Sequence, residues 1–308
     1  MSNPATGPMR GIWPALLTPL GDDGAVDHVV LGAHARALIS AGCGGVTAFG
    51  TTGEGTSFSV EERRVALEAM VAAGVPASQM LVSISCAALS DTVTLARHAV
   101  ALGAFGCLMT PPFYFKGVSD QGIVDAYRLV IDTVGDPGLR IMLYHIPQLT
   151  GVALSKEVIA TLRERYPDSI IGIKDSAGDL LHSLRLAEEF LPRLMVHVGN
   201  EPDLPVLGRL GSCGAVSGLA NFMPRTVRRL VLRADDPGTT GDLSRVATLL
   251  ARLPGGASLI PALKGVLALI SGHDGWLRVR PPLVALTPRT LDELRDRLAD
   301  LKLDFAVD

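Results

Sequence analysis

The chain has 308 residues, of which 48% are hydrophobic, and its formal net charge is −3. This length suits one large domain or two ordinary ones, and the hydrophobic content is sufficient for a sizeable core. The weakly negative charge gives no electrostatic basis for binding nucleic acid or an anionic membrane, so we expect neither partner.

Short apolar runs alternate with helical patterns along most of the chain. The predicted strands are residues 12–17, 45–49, 81–85, 106–109, 140–144, 170–174, 194–198 and 214–217, and the helices between them are 60–73, 91–102, 120–133, 156–165, 180–190 and 202–210. This alternation predicts an α/β fold with a parallel sheet and helical crossovers. Eight such units without a Gly-rich linker favour a TIM (β/α)8 barrel, and the first turn lacks the G-x-G-x-x-G of dinucleotide-binding folds.

The pattern changes after Ser217. Helices are predicted at residues 226–233, 242–253, 260–270 and 291–301, with no further strand. We therefore expect a barrel over residues 1–223 and a C-terminal helical extension over residues 224–308 that packs on it. Two capping boxes predict helix starts, Ser59-x-x-Glu62 and Thr290-x-x-Glu293.

Cysteine usage and hydropathy indicate the compartment. The four cysteines form no C-x-x-C pair and are predicted to be buried free thiols in a reducing environment: Cys43, Cys86, Cys107 and Cys213. Residues 1–10 lack the apolar core of a signal peptide, and charged residues interrupt the apolar stretch 80–109. We expect a cytoplasmic protein.

Lys174 is one of only five lysines and ends the apolar run 169–174. A short Ile-rich run predicts a buried strand. Desolvation favours the neutral amine, which is a nucleophile, and the usual function of such a lysine is a Schiff base with a carbonyl substrate. Alternatively, Lys174 reaches solvent from the strand end or pairs with Asp175.

Tyr144 ends the strand before that of Lys174. Active sites of parallel barrels lie at the carboxyl ends of the strands, so the two side chains are expected at matching ends of adjacent strands, roughly 5 Å apart. A phenol beside an amine is suited to proton transfer during carbinolamine formation and dehydration. Alternatively, Tyr144 is a half-buried core residue.

A Gly- and Thr-rich turn, GTTGEG at residues 50–55, follows the second predicted strand. Consecutive backbone N–H groups in such a turn can hold an anion, and Thr51 and Thr52 add hydroxyl donors, so a carboxylate or phosphate is the expected guest. No Gly-Lys-Ser/Thr follows, which excludes a P-loop. The seven histidines lack metal-ligand spacing, no G-x-S-x-G elbow occurs, and we predict no metal site.

Three motifs in this order resemble the dihydrodipicolinate synthase / N-acetylneuraminate lyase family: GTTGE at residues 50–54, YHIP at 144–147 and GIKD at 172–175. The resemblance extends over nearly the whole chain, through further matches at residues 14–19, 110–112, 199–200, 217–221 and 280–282.

The resemblance implies a class I, metal-free aldolase or lyase on a TIM barrel, with no cofactor and usually a homotetramer built as a dimer of dimers. It implies that Lys174 forms a Schiff base with pyruvate or another 2-keto acid and that Tyr144 moves protons. It also implies that Thr51 and Thr52 hold the keto-acid carboxylate. The remaining substrate-binding residues that it implies are Gly50, His145, Gly199 and Ser217.

Departures from the family pattern bear on the substrate. Leu149 stands where the lysine-pathway synthases carry an arginine that binds a carboxylate, and leucine cannot make that bidentate contact. Phe113 stands where those synthases donate a second tyrosine to a neighbouring subunit, with Tyr114 one residue later. His145 replaces the usual asparagine and could hydrogen-bond a polyhydroxylated chain. These departures favour lyases of N-acetylneuraminate or of 2-keto-3-deoxy sugar acids.

Three alternatives remain open at this point. The first is 4-hydroxy-tetrahydrodipicolinate synthase (dihydrodipicolinate synthase), and the second is a keto-sugar-acid dehydratase that uses the same Schiff base. The third is a barrel with a binding or regulatory role, which the intact Lys174, Tyr144 and threonine pair disfavour.

Overall fold

The computed structural model describes residues 9–212, 214–255 and 258–304, so Cys213 lies outside the described residues. Eight strands occur in these ranges, each within a few residues of its predicted position: β1 Gly11–Ile12, β2 Val46–Ala48, β3 Met80–Ser83, β4 Gly106–Met109, β5 Ile141–His145, β6 Ile170–Asp175, β7 Met195–Val198 and β8 Gly214–Ala215.

All neighbouring strands are parallel, and their order in the sheet is β1-β8-β7-β6-β5-β4-β3-β2. The segment directly after β1 is hydrogen-bonded to β2, the strand at the other end of the sheet. Leu16 N–H donates to the Thr47 carbonyl at 2.9 Å, and Thr47 N–H donates to the Pro14 carbonyl at 2.8 Å. The curled parallel sheet with alternating helices agrees with the predicted TIM-type barrel.

Twelve α-helices lie in the described ranges: α1 His28–Ser40, α2 Val60–Ala72, α3 Leu89–Ala101, α4 Asp120–Val134, α5 Pro147–Thr150, α6 Lys156–Arg165, α7 Leu180–Phe190, α8 Leu204–Arg209, α9 Pro224–Leu232, α10 Thr239–Arg252, α11 Leu259–Ser271 and α12 Pro288–Leu298. Two of these helices were not predicted from the sequence, α1 and the single turn α5. The predicted helix at 202–210 is a 3-10 turn, Glu201–Asp203, followed by α8.

One of the two predicted capping boxes is confirmed. Ser59 caps α2, with its hydroxyl accepting from Glu62 N–H and the Glu62 carboxylate accepting from Ser59 N–H. The box at Thr290 is wrong, because α12 begins one turn earlier. Its N-cap is Thr287, whose hydroxyl accepts from Thr290 N–H, and Pro288 takes the first helical position, where its missing N–H costs nothing.

Alternation along the strands divides the core into two parts. Met142 and Tyr144 belong to a cluster inside the barrel, whereas Ile141 and Leu143 pack in the larger cluster between the sheet and the helices. Because side chains alternate faces along a strand, this division determines which strand-end residues meet inside the barrel.

Among the described residues, four helices, α9 to α12, follow the last strand. Helix α9 contacts β1 and β8 of the barrel, and α11 contacts α12 and the 3-10 turn Asp274–Leu277. The division of the chain into a barrel over residues 1–223 and a helical extension packed on it stays a prediction. In the described part of the chain, no helix is both long and apolar enough to span a bilayer.

Three of the predicted free thiols are confirmed. Cys43 and Cys107 are buried and Cys86 is half-buried, with no disulfide among them. Burial raises the pKa of both Cys43 and Cys107 to about 12, so neither is a reactive thiolate at neutral pH.

Candidate active site

Lys174 and Tyr144 meet inside the barrel at its carboxyl end. They are directly paired in the register of β6 and β5, and only 4% of Lys174 and 3% of Tyr144 is exposed. The Lys174 Nζ lies 4.1 Å from the centroid of the Tyr144 ring. The arrangement expected from the sequence is therefore present: a buried amine against a buried phenol.

Both alternatives for Lys174 are excluded by its surroundings. Its burial excludes a side chain that reaches solvent. Asp175 points to the opposite face of β6, where its carboxylate accepts from Ser183 Oγ at 2.6 Å, from the His182 ring at 2.9 Å and from Ala177 N–H at 3.0 Å. Asp175 thus binds the start of α7 and not the lysine.

The Gly- and Thr-rich turn lies beside this pair. Thr51 Oγ1 is 3.2 Å from the Tyr144 hydroxyl, and Gly218 lies against the Thr52 side chain. A side chain at Gly55 would collide with the Phe49 carbonyl, since its Cβ would lie 1.7 Å from that oxygen. Gly50 has no such close neighbour. The structure therefore brings Thr51 into contact with Tyr144. Gly53 is sterically required as well as Gly55, because its Cβ would lie 2.7 Å from the Leu16 carbonyl.

Gly199 lies beside Lys174. A Cβ on Gly199 would lie 3.3 Å from Lys174 Cε and 2.2 Å from Ser176 Oγ, so a side chain here would crowd the lysine and displace the Ser176 hydroxyl. Ser217 is fully buried, and its hydroxyl donates to Glu201 Oε1 at 2.6 Å.

Glu201 is a carboxyl group that the sequence analysis did not single out. It is buried, and Leu219 N–H also donates to its Oε1 at 3.4 Å. Burial raises the pKa of Glu201, against the opposing effects of hydrogen bonds and of the Lys174 charge. The signal that could have found it is its position three residues beyond β7, since strand ends carry the site residues of such barrels.

His145 faces away from Lys174, toward the helices. Its Nδ1 accepts from Leu154 N–H at 3.1 Å, and its ring stacks on that of His182 with centroids 4.5 Å apart. Burial lowers the pKa of His145, whereas the hydrogen bond that the His182 ring donates to Asp175 raises the pKa of His182. His145 is therefore not among the side chains that meet at Lys174, and its role in binding substrate stays a prediction.

Ligand atoms of His145, Asp175 and His182 lie within 4.8 Å of one another, a grouping that sequence spacing did not reveal. The chemistry of these donors does not fit a metal ion. Because His145 Nδ1 accepts a backbone N–H, its proton is on Nε2, and neither nitrogen has a lone pair left for a metal. In addition, two nearly parallel stacked rings cannot both point their in-plane lone pairs at one ion.

Phe113 and Tyr114 lie in the loop after β4, and Leu149 lies in the single turn α5. Tyr114 is 73% exposed and Leu149 63% exposed, while Phe113 is half-buried. The Lys116 amine connects the loop to α5 by donating to the carbonyls of Phe113 and Thr150. Within this chain, the Phe113 ring and the Tyr114 ring form no hydrogen bond or ring contact with Tyr144 or Lys174.

A model of the Dihydrodipicolinate synthetase family matches residues 8–300. The chain belongs to this family. An uncharacterized DapA-like lyase of Chloroflexus aurantiacus is 37% identical over 293 residues, which cover 93% of this chain and 95% of the relative. An N-acetylneuraminate lyase of Rattus norvegicus is 27% identical over 304 residues, which cover 96% of this chain and 92% of the relative.

A crystal structure of dihydrodipicolinate synthase from Agrobacterium tumefaciens has the same fold. It superposes with a TM-score of 0.86 at 36% identity, covering 94% of this chain and 99% of that one. Together, the family match and these relatives confirm the predicted family and the predicted class, a carbon–carbon lyase or aldolase of class I.

Proposed function

We propose that this dihydrodipicolinate synthetase family member is a Schiff-base aldolase that joins or cleaves a 2-keto acid and a sugar-derived aldehyde. The proposal is supported above all by the position of the Lys174 amine, 4.1 Å from the ring centroid of Tyr144, with the Tyr144 hydroxyl 3.2 Å from Thr51 Oγ1. An amine, a phenol and an aliphatic hydroxyl group therefore lie close together.

In the cleavage direction, the Lys174 nitrogen adds to the C2 ketone of the substrate, and loss of water from the carbinolamine gives a protonated imine. The C4 hydroxyl then loses a proton as the C3–C4 bond breaks, which releases an aldehyde. The electron pair of that bond moves toward the imine nitrogen and leaves an enamine. Protonation at C3 and addition of water release pyruvate and regenerate the amine.

Tyr144 is assigned to the proton transfers. Its hydroxyl lies on the same side of the barrel as the amine, and the register of β5 and β6 holds the two residues side by side. Carbinolamine dehydration needs a proton donor for the departing hydroxyl, and a phenol within hydrogen-bond reach can supply it.

The keto-acid carboxylate is assigned to Thr51 and Thr52. Both threonines lie in the turn after β2, and Thr51 already contacts Tyr144. Hydroxyl and backbone N–H donors suit a carboxylate, and the two residues follow a strand end, where substrates of such barrels bind. Gly50, Gly199 and Ser217 are assigned to the walls of the same site.

The aldehyde is assigned to the neutral, hydroxylated class. Leu149 offers no charge at the rim of the site, and its exposed side chain cannot pair with a carboxylate on the acceptor. The same assignment applies to the reverse reaction, in which 2-keto-3-deoxy sugar acids are cleaved.

Synthesis of 4-hydroxy-tetrahydrodipicolinate is the second candidate function. It is favoured by the 36% identity to the dihydrodipicolinate synthase of Agrobacterium tumefaciens. That reaction would use the same Schiff base of pyruvate on Lys174 and differs in the acceptor.

A cytoplasmic homotetramer without a cofactor or metal is part of the proposal. The adjacent rings of Tyr114 and Phe115, which meet edge to face at 5.3 Å and are more than 70% exposed, support a contact with another subunit. Light scattering of the purified protein measures the number of subunits directly.

A substrate screen tests the proposed function. Purified protein is incubated with several 2-keto-3-deoxy sugar acids and with N-acetylneuraminate, and pyruvate release is followed, with Lys174→Arg as the matched inactive control. We expect release from at least one sugar acid by the wild type alone. Release from none of them, together with condensation of pyruvate and aspartate semialdehyde, would assign the second candidate function.

A further inference from the structure

A second buried lysine, Lys264 on α11, forms an ion pair with the turn that carries the threonines. Its Nζ lies 2.7 Å from Glu54 Oε1, and both side chains are fully buried. The two residues are 210 positions apart in the sequence. The pair therefore fixes α11, in the C-terminal part of the chain, to the turn after β2.

The second oxygen of Glu54 is also occupied. Arg280 N–H donates to Glu54 Oε2 at 2.8 Å, and the Arg280 guanidinium donates to the Ser57 carbonyl at 2.9 Å and lies over the Phe58 ring. Both carboxylate oxygens of Glu54 thus have partners outside its own segment, which leaves the carboxylate little freedom to move.

Glu54 is placed to control the threonines. It lies two residues beyond Thr52 and adopts a left-handed backbone conformation, with φ of 55°. The turn is further closed by bonds from Glu54 N–H to the Thr51 carbonyl at 3.1 Å and from Gly55 N–H to the Gly50 carbonyl at 3.1 Å. A non-glycine residue in this conformation persists only where surrounding contacts hold it, and here the ion pair and Arg280 supply them.

Stability alone gives no reason for such a pair. Desolvating two charges is expensive, and apolar residues of similar volume often stabilise a fold as well or better. A buried pair does, however, fix one geometry, because any movement of Glu54 would leave the Lys264 charge without its partner. A turn that binds a carboxylate requires such a fixed geometry, because its hydrogen-bond donors must all point at the same anion.

We propose that the Glu54–Lys264 ion pair is a positioning device that holds Thr51 and Thr52 in the conformation that binds the keto-acid carboxylate. The inference rests on the proposed function, because it assumes that these threonines bind that carboxylate. Lys264 acts through Glu54 and does not touch the substrate, and its own charge is already balanced by Glu54.

The test compares two carbonyl compounds that differ in the carboxylate. Pyruvate has one and acetaldehyde does not, while both can form an imine with Lys174 that borohydride reduces to a stable adduct. The amount of adduct on the peptide containing Lys174 is measured against the concentration of each compound. A loose threonine turn should affect pyruvate and spare acetaldehyde, whereas damage to the lysine itself would affect both.

Three variants are compared with the wild type. Lys264→Met removes the amine, Glu54→Gln keeps the shape of the acid without its charge, and the double variant Glu54→Gln/Lys264→Met leaves no unpaired buried charge. Lys156→Met, the same change at an exposed lysine at the start of α6, is the matched control. Thermal unfolding of each variant shows which of them are folded.

We expect the folded variants to need roughly tenfold more pyruvate for half-maximal trapping, the effect of weakening a charge-assisted hydrogen bond. Acetaldehyde trapping should stay within about twofold of wild type, a change worth only a few tenths of a kcal/mol. Unchanged pyruvate dependence, or a parallel loss for both compounds, would overturn the proposal. So would failure of all three variants to fold, which would assign the pair to stability.

Failure of the proposed function gives a different result. In that case the wild-type protein itself would form no pyruvate adduct on Lys174. A wild-type adduct with normal pyruvate dependence in the folded variants instead rejects only the positioning role of the ion pair.

Discussion

The hydroxyl of Tyr144 lies 3.2 Å from Oγ1 of Thr51, so the proposed proton carrier touches the turn proposed to hold the substrate carboxylate. The carboxylate of a keto acid is bonded directly to its reacting carbonyl carbon. A site that orients both groups therefore needs its anion donors and its proton carrier within a few ångströms of each other, as they are here.

Replacing Tyr144 with phenylalanine should reduce turnover far more than keto-acid binding. A positioned acid–base group typically contributes roughly 10²–10⁴-fold in rate, and we expect a loss in that range. The measurement is kcat for cleavage together with the pyruvate concentration that half-saturates borohydride trapping.

The control for this variant is Tyr127→Phe. Tyr127 is also fully buried, but its hydroxyl donates to the Met109 carbonyl at 2.9 Å, outside the site. Loss of the Tyr127 hydroxyl should lower the free energy of unfolding by about 1 kcal/mol and leave kcat nearly unchanged. Near-normal turnover of Tyr144→Phe would show that a group other than Tyr144 carries the protons.

Replacing Leu149 with arginine should change the preferred acceptor. The wild type is expected to use glyceraldehyde better than aspartate semialdehyde with pyruvate, because it offers the semialdehyde carboxylate no guanidinium. A charge-assisted hydrogen bond contributes about 1.5–3 kcal/mol. Leu149→Arg should therefore lower the ratio of kcat/KM for glyceraldehyde to kcat/KM for aspartate semialdehyde by roughly one to two decades, or reverse the preference.

The matched control for the acceptor prediction is Leu210→Arg, which adds the same charge at an exposed leucine directly after α8. This variant should leave the ratio of the two aldehydes as in the wild type. If wild-type protein prefers aspartate semialdehyde by more than about tenfold, a gap of 1.4 kcal/mol, the synthase is the correct function.

Acid should destabilise the protein partly through His197. This residue is fully buried, its Nε2 donates to the Met9 carbonyl at 3.1 Å, and burial lowers its pKa from 6.5 to about 4. Because the unfolded chain binds this proton more tightly than the native state, stability falls as the pH drops from about 6.5 toward 4. The pKa difference corresponds to a loss of about 3 kcal/mol.

The variant His197→Gln tests this linkage, since its amide can still donate to Met9 and does not titrate. Urea unfolding at pH 7 and pH 4.5 should show a smaller acid-induced loss of stability for the variant than for the wild type. Parallel pH profiles of the two proteins would show that protonation of His197 does not drive the loss.

Removal of metals should leave the activity unchanged. The cluster of His145, Asp175 and His182 contains three side chains of metal-binding type, but the backbone bond from Leu154 N–H to His145 Nδ1 keeps the other ring nitrogen of His145 protonated. The test is to measure activity after dialysis against EDTA, with and without added Zn²⁺, Mn²⁺ or Mg²⁺. A loss that one of these ions restores would reveal a metal-dependent step.

Sequence patterns were sufficient for the strands and for the placement of Lys174 beside Tyr144, because both depend on local chemistry. An Ile-rich run ending in Lys174 and a run ending in Tyr144 each specify a buried strand, and the barrel topology then places both ends side by side. Helix α1 was missed although Asp27 caps it, because Gly32 weakens its helical pattern. That glycine is needed where α1 approaches Ala73 closely.

Contacts between distant parts of the chain could not be predicted in this way. Nothing near Lys264 in the sequence indicates Glu54 as its partner, and the His145–His182 stack depends on how α7 docks against β5. Strand β1 ends at Ile12, earlier than predicted, because Pro14 has no N–H to donate. Trp13 N–H still donates to the Ala215 carbonyl in β8, and Leu16 N–H donates to the Thr47 carbonyl in β2.

The most direct measurement is the location of the pyruvate adduct. Wild-type protein is incubated with pyruvate, reduced with borohydride and digested, and the modified peptide is identified by mass spectrometry. We predict an adduct on the peptide containing Lys174 and none in the Lys174→Arg variant. An adduct on the buried Lys264 or the exposed Lys116, or no adduct at all, would contradict the assignment of Lys174 as the Schiff-base residue.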